Sequence, residues 1–149
     1  MELNFALKEM TALRYFMPLV IEGNNRGIKS NFFVEGTSKY NSPTSPKNNK
    51  ILMDLATEFN IGLPKLKEIK NRDGLVFIIE GVAVDQLGPN RDTRKVVSIS
   101  YMTDFNFSYY NYYDKVDHII LPSEYFANYH NKATPKNLYC GSPKYDVEL

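Results

Sequence analysis

The chain has 149 residues, a length of about one domain, and a domain of that size buries roughly 70% of its unfolded surface without needing staples. Its composition is ordinary for a globular protein, 43% hydrophobic and 23% charged, and its net charge of +1 gives no reason to expect steering toward nucleic acid. One cysteine, Cys140, excludes an internal disulfide framework and a cysteine-rich metal site, which makes a cytoplasmic setting the default expectation. The start Met1-Glu2-Leu3-Asn4 lacks the pattern of a signal peptide, and no apolar run approaches the roughly 20 residues of a membrane span.

Leu3 to Leu7 is a short apolar stretch, read as the first strand. Thr11 is a candidate N-cap for a helix whose inner face is Leu13, Phe16, Met17, Val20 and Ile21, at the spacing i, i+3, i+4, i+7, i+8. Pro18 falls inside that pattern and should kink the helix or move its start. Gly23 and Gly27 supply the stop. Phe32-Phe33-Val34 marks a second strand. The polar stretch Gly36 to Asn49 is a loop, and Ser45-Pro46 is an N-cap and first-turn pair for a helix carrying Ile51, Leu52, Leu55, Ala56 and Phe59. Leu63 to Arg72 fits either a short helix or an irregular segment.

Leu75 to Ile79 is continuously apolar, as in a central strand buried on both faces, and ends at Glu80-Gly81. Val82 to Arg94 contains Gly88-Pro89-Asn90 and does not suit a full helix. Lys95 to Ser100 is the next strand, ending at Tyr101-Met102-Thr103-Asp104. The Tyr-rich run Phe105 to Asp114 fits a helix with Phe105, Tyr109, Tyr112 and Tyr113 inward. Val116 to Leu121 and Asn137 to Cys140 are the last two strands, with a short amphipathic run between them. Strands alternating with helices predict an α/β fold: a Rossmann-like, three-layer α/β/α domain with a mostly parallel sheet of about six strands over residues 1–149.

Ligand sites of open parallel sheets lie at the carboxyl ends of the strands. Those ends collect Glu9 and Thr11, Glu35 to Ser38, Glu80, Ser100 to Asp104, Ser123 and Glu124, and Ser142 to Lys144. A carboxylate there can act as general base on an acceptor hydroxyl, with Asp104, Glu80, Glu35 and Glu9 as candidates. Ser123 and Ser142 are good helix caps, and Glu124 suits the first turn of a helix, so capping alone accounts for them. His118, beside Asp117, is read as structural and His130 as surface. The phosphate loops GxGxxG and GxxxxGK[ST] are absent, as is an Asp-x-Asp metal motif. No cofactor is expected in this domain, and two isolated histidines with one cysteine do not make a metal site.

Asp117-His118-Ile119-Ile120-Leu121-Pro122-Ser123-Glu124, followed by Gly141-Ser142-Pro143-Lys144-Tyr145-Asp146, resembles the end of the N-terminal domain of GT-B glycosyltransferases. The nearest likeness is to the branch containing CDP-glycerol glycerophosphotransferases and UDP-N-acetylglucosamine 2-epimerase-like proteins. The rest of the chain agrees only in element order. The resemblance implies the acceptor-binding half of a two-domain transferase, which moves a sugar from a nucleotide-sugar donor to an acceptor hydroxyl. Its partner would be a C-terminal domain holding the donor. Catalytic candidates are then Asp104 and Glu80, and substrate-binding candidates Thr103, Ser123, Glu124, Ser142 and Lys144. Where family members carry a His-Gly-Thr turn, this chain has Tyr101-Met102-Thr103-Asp104; Thr103 matches but the His and Gly do not, so no base is carried over from that motif, and Asp104 is the substitute. The short run after Pro143 leads to the expectation that the chain is the first part of a longer protein, inactive alone. The other reading is a non-catalytic α/β module that binds a glycan or a partner protein.

Overall fold

The computed structural model describes residues 1–100, 112–129 and 135–140. Six strands form one sheet: β1 (Glu2–Leu7), β2 (Lys29–Val34), β3 (Gly74–Ile79), β4 (Arg94–Ile99), β5 (His118–Leu121) and β6 (Asn137–Tyr139). Their order is β2-β1-β3-β4-β5-β6, and every neighbouring pair is parallel. The sheet expected to be mostly parallel is thus parallel at each pairing, and the fold is Rossmann-like α/β. The helices are α1 (Leu13–Asn25), α2 (Pro46–Phe59) and α3 (Glu124–Tyr129). The expected helix over Phe105 to Asp114 lies largely outside the described residues; at its end Tyr112 is buried and a 3-10 turn spans Tyr113–Lys115.

Side chains of successive strand residues point to opposite faces, and both faces are covered. Leu3, Phe5, Leu7, Phe77, Ile79 and Val97 pack on the side of α1 and α2. Ala6, Val76, Ile78, Val96, Ile119 and Leu121 pack on the other side, beneath a 3-10 turn (Leu66–Asn71) and Ala127 of α3. Phe5 is the hub of the first layer. It stacks on Phe77 at 5.0 Å between ring centres and meets Phe32 edge-on at 5.5 Å, a geometry worth about 0.5–1.5 kcal/mol per pair beyond area burial.

α1 follows a 3-10 turn (Met10–Ala12) and runs through Pro18, which removes one helical hydrogen bond without ending the helix. α2 opens at Ser45-Pro46 as expected, although the Ser45 hydroxyl makes no cap bond. It ends on Asn60, in the left-handed conformation that asparagine tolerates.

The stretch Leu63 to Arg72, ambiguous in sequence, combines two structures. Residues 62–65 run parallel to the outer edge of β2, with Phe32 N–H donating to Gly62 O at 2.8 Å and Val34 N–H to Pro64 O at 2.9 Å. The edge of the sheet is therefore paired rather than open. The turn Leu66–Asn71 then passes to the opposite face and leads into β3. At the amino ends of the strands, buried Asn31 donates to Asn4 Oδ1 at 3.1 Å, and Asn4 donates to the carbonyl of Leu75 at 3.2 Å. These amides stitch β2, β1 and β3 together on the side away from the carboxyl ends of the strands. Buried Arg94 donates to the carbonyls of Leu87 and Pro89, both at 2.8 Å, and so folds the loop before β4 onto the sheet.

Candidate functional site

The strand order reverses at β1. The chain leaves β1 toward β2 on one side, and β3 onward lies on the other. Crossovers departing in opposite directions part the loops at the carboxyl ends of β1 and β3, where doubly wound sheets bind ligands. A crevice of about 340 Å³ opens there. Its floor is Ala6, Ala12 and Ile79, its polar wall is Lys8, Glu9, Thr11, Arg14 and Asn41, and Tyr15 and Val82 complete it.

Two carboxylates hold the surrounding loops. Glu9 lies in extended backbone just before the 3-10 turn and makes no side-chain cap bond. Its carboxylate instead receives Lys39 Nζ at 2.8 Å and Asn41 Nδ2 at 3.3 Å, while Met10 N–H donates to the Asn41 carbonyl at 2.9 Å. The Lys39 hydrogen bond is the main reason the Glu9 carboxyl is held below its ordinary range, against a smaller opposing effect of burial. Glu35, at the end of β2, accepts from Gln86 Nε2 at 3.1 Å and pairs with Lys8 Nζ at 3.1 Å. The Gln86 hydrogen bond and then Lys8 keep it, too, below the ordinary range. Both groups are thus anionic at neutral pH.

The polar loop after β2 is ordered by Ser42, which is 3% exposed. Its hydroxyl accepts from Thr37 N–H at 3.0 Å, and its carbonyl accepts from Asn48 Nδ2 at 2.9 Å. Nothing in the sequence distinguished Ser42 from the other serines of that loop. Lys8, Arg14, Asn41 and Val82 were also not singled out, although Lys8 and Asn41 flank stretches the strand-end rule had marked.

The residues anticipated from sequence divide into three groups. Glu9 and Thr11 line the crevice, and Glu35 braces it through Lys8. Glu80 lies at the end of β3 but turns away from the crevice, into a buried polar network. Its side chain is 3.3 Å from Ser100 Oγ and 3.5 Å from Tyr112 OH, and its carbonyl accepts from Ser98 Oγ at 2.8 Å. Its φ of 51° is in the left-handed region, which a non-glycine residue enters only at a cost. Ser123 and Glu124 sit at the carboxyl end of β5, immediately before and at the start of α3, and do not line the crevice. Thr103, Asp104, Ser142 and Lys144 lie outside the described residues.

His118, expected within a strand, is the exposed first residue of β5. Its neighbour Asp117 accepts from Val96 N–H at 2.8 Å, a structural role. Among the described residues no group of three or more His, Cys, Asp or Glu is placed to hold a metal ion, and no helix is long and apolar enough to cross a membrane. Comparison with known protein families, with curated proteins and with solved structures gives no match to this chain.

Proposed function

We propose that this chain is the acceptor-binding domain of a GT-B-type glycosyltransferase, with the acceptor held in the crevice over β1 and β3. The observation that carries the reading is the crevice itself. It stands where the strand order reverses, and it joins an apolar floor to a carboxylate, a hydroxyl and an amide that can bind an acceptor hydroxyl. The turn after β1 has no GxGxxG, which agrees with a domain that binds the acceptor and leaves the nucleotide-sugar donor to a second, C-terminal domain. The local structure of Asp117 to Glu124 also has the form of the motif: a strand, then a serine, then a helix opened by an acidic residue. A cytoplasmic setting belongs to the same reading and suits the exposed thiol of Cys140.

In this reading Glu9 replaces Glu80 as the described carboxylate placed to accept a proton from the acceptor hydroxyl, because Glu9 faces the crevice and Glu80 is sealed behind it. A test is an NMR titration of the chain. Glycan acceptors are expected to shift the signals of Glu9 to Ala12 and Ile79 to Val82, while nucleotide sugars leave them unmoved. Nucleotide sugars binding there with glycans inert would overturn the assignment of acceptor and donor halves.

One observation favours the non-catalytic reading. Both oxygens of Glu9 are already engaged, by Lys39 and Asn41, which weakens it as a base. Glu9→Gln separates the two readings when the chain is assayed together with a donor-binding domain. Loss of transfer with acceptor affinity retained supports the base, and transfer unchanged by the substitution removes it.

A further inference from the structure

We infer that the ligand of this crevice carries an oxyanion, a carboxylate or a phosphate, and that Arg14 is the side chain that binds it. The inference rests on the acceptor-binding reading and adds a charge to the acceptor. Three charged side chains line the crevice: Lys8, Glu9 and Arg14. Lys8 Nζ is paired with Glu35 at 3.1 Å, and Glu9 with Lys39 Nζ at 2.8 Å. Those two charges of the wall are thus neutralised within the protein, and the charge of Arg14 is left over. Among the described residues no carboxylate lies within ion-pair distance of its guanidinium, and its side chain makes no hydrogen bond.

An exposed arginine is ordinary on a protein surface. Arg14 differs in where it stands. It is the second residue of α1, on the wall of a crevice, and α1 opens with neither an acidic residue in its first turn nor a side-chain cap. The start of a helix favours negative charge and disfavours positive charge, so a guanidinium there works against its own helix. An oxyanion bound beside it would offset both the guanidinium and the helix end. The lining also selects the sign. A cationic ligand would meet an unpaired arginine and carboxylates already held by lysines. A guanidinium presents five N–H donors in a planar fork, which fits two oxygens of a carboxylate or a phosphate. The Thr11 hydroxyl on the same wall can donate a further bond.

The probes, at neutral pH, are methyl β-glucopyranoside as the neutral ring, methyl β-glucuronide as the carboxylate, glucose 6-phosphate as the phosphate, and inorganic phosphate alone. Binding is followed by the NMR signals of Ala12 and Val82. The two anionic sugars are expected to bind about fivefold to tenfold tighter than the neutral one, and salt at about 1 M to remove most of that margin. Arg14→Gln is expected to bring the anionic sugars down to the affinity of the neutral one, whose own affinity it leaves unchanged. Arg14→Lys should keep part of the margin. Arg14→Gln removes a charge that the helix end disfavours, so its stability in urea should not fall, and lost affinity is then not lost folding. Equal affinity for neutral and anionic sugars, or a margin that survives Arg14→Gln, overturns the role of Arg14 and leaves the acceptor-binding reading standing. Inorganic phosphate binding as tightly as glucose 6-phosphate upholds Arg14 as an oxyanion site and removes the sugar, and with it the acceptor-binding reading. If no probe moves Ala12 or Val82, both fall.

Discussion

The Ser98 hydroxyl donates to the Glu80 carbonyl at 2.8 Å, across the ends of β4 and β3, and both residues are buried. That bond holds Glu80 where the backbone turns left-handed, at φ 51°, and the loop leaves the sheet. The crevice depends on it, because Val82 on the crevice wall follows Glu80 by two residues. Removing the hydroxyl deletes this buried hydrogen bond, worth about 0.5–1.5 kcal/mol net. Ser98→Ala is therefore expected to lower unfolding free energy by that amount in urea, and to broaden the amide signals of Gly81 and Val82. Ser98→Thr, which keeps a hydroxyl, should lose less. Equal stability of Ser98→Ala and the unsubstituted chain would show that the bond does not hold the turn.

Gly81 is required by Tyr112 rather than by its own backbone. A Cβ at Gly81 would lie 2.5 Å from Tyr112 Cδ1, inside a ring that is 1% exposed and cannot move aside. Gly81→Ala is expected to destabilise by about 1–3 kcal/mol through overpacking. Gly27 is the contrast: a Cβ there meets open space, and only its φ of +71° resists substitution, at a cost of about 1 kcal/mol. The measurement is chemical denaturation of both variants. Combining Gly81→Ala with Tyr112→Ala, which removes the ring atoms the methyl meets, should cost less than the sum of the two single changes.

The layered sheet was legible because its signals are local. Leu75 to Ile79 could hardly be anything but a strand buried on both faces, and Leu13, Phe16 and Val20 repeat at helical spacing whatever Pro18 does. The stretch Leu63 to Arg72 was not legible, because its structure is imposed from outside: Gly62 to Lys65 are strand-like only through the vacant edge of β2. The site was half legible. The strand-end rule found Glu9 and Thr11 by position, but it ranked Glu80 with them, since a sequence does not say which way a left-handed turn will send a side chain. Lys39 and Asn41 became visible only once the loop had folded over Glu9, a contact that spans about thirty residues and leaves no periodic trace.

The two carboxylates of the rim also fix how the fold answers to acid. Glu9 and Glu35 are each held below their ordinary value of 4.5, Glu9 chiefly by the Lys39 hydrogen bond and Glu35 chiefly by that of Gln86. The unfolded chain therefore takes up protons at a higher pH than the folded one. Between the lowered folded values and 4.5 the unfolded state carries more protons, so stability falls as the pH falls. The stabilisation is complete above 4.5 and disappears as the pH passes below the folded values. The side chains are about a third or more exposed, and solvent screens the pairs, so each contributes under about 1 kcal/mol. Urea unfolding across the acid range is expected to show a shallower loss of stability for Glu9→Gln and for Glu35→Gln than for the unsubstituted chain, with the double variant shallowest. On the proposed acceptor-binding reading, affinity is expected to be unchanged from neutral pH down to 4.5 and to fall only below it, because the folded Glu9 is held below its ordinary value. Identical acid slopes in all four proteins would mean that neither carboxylate draws its low value from the folded loops.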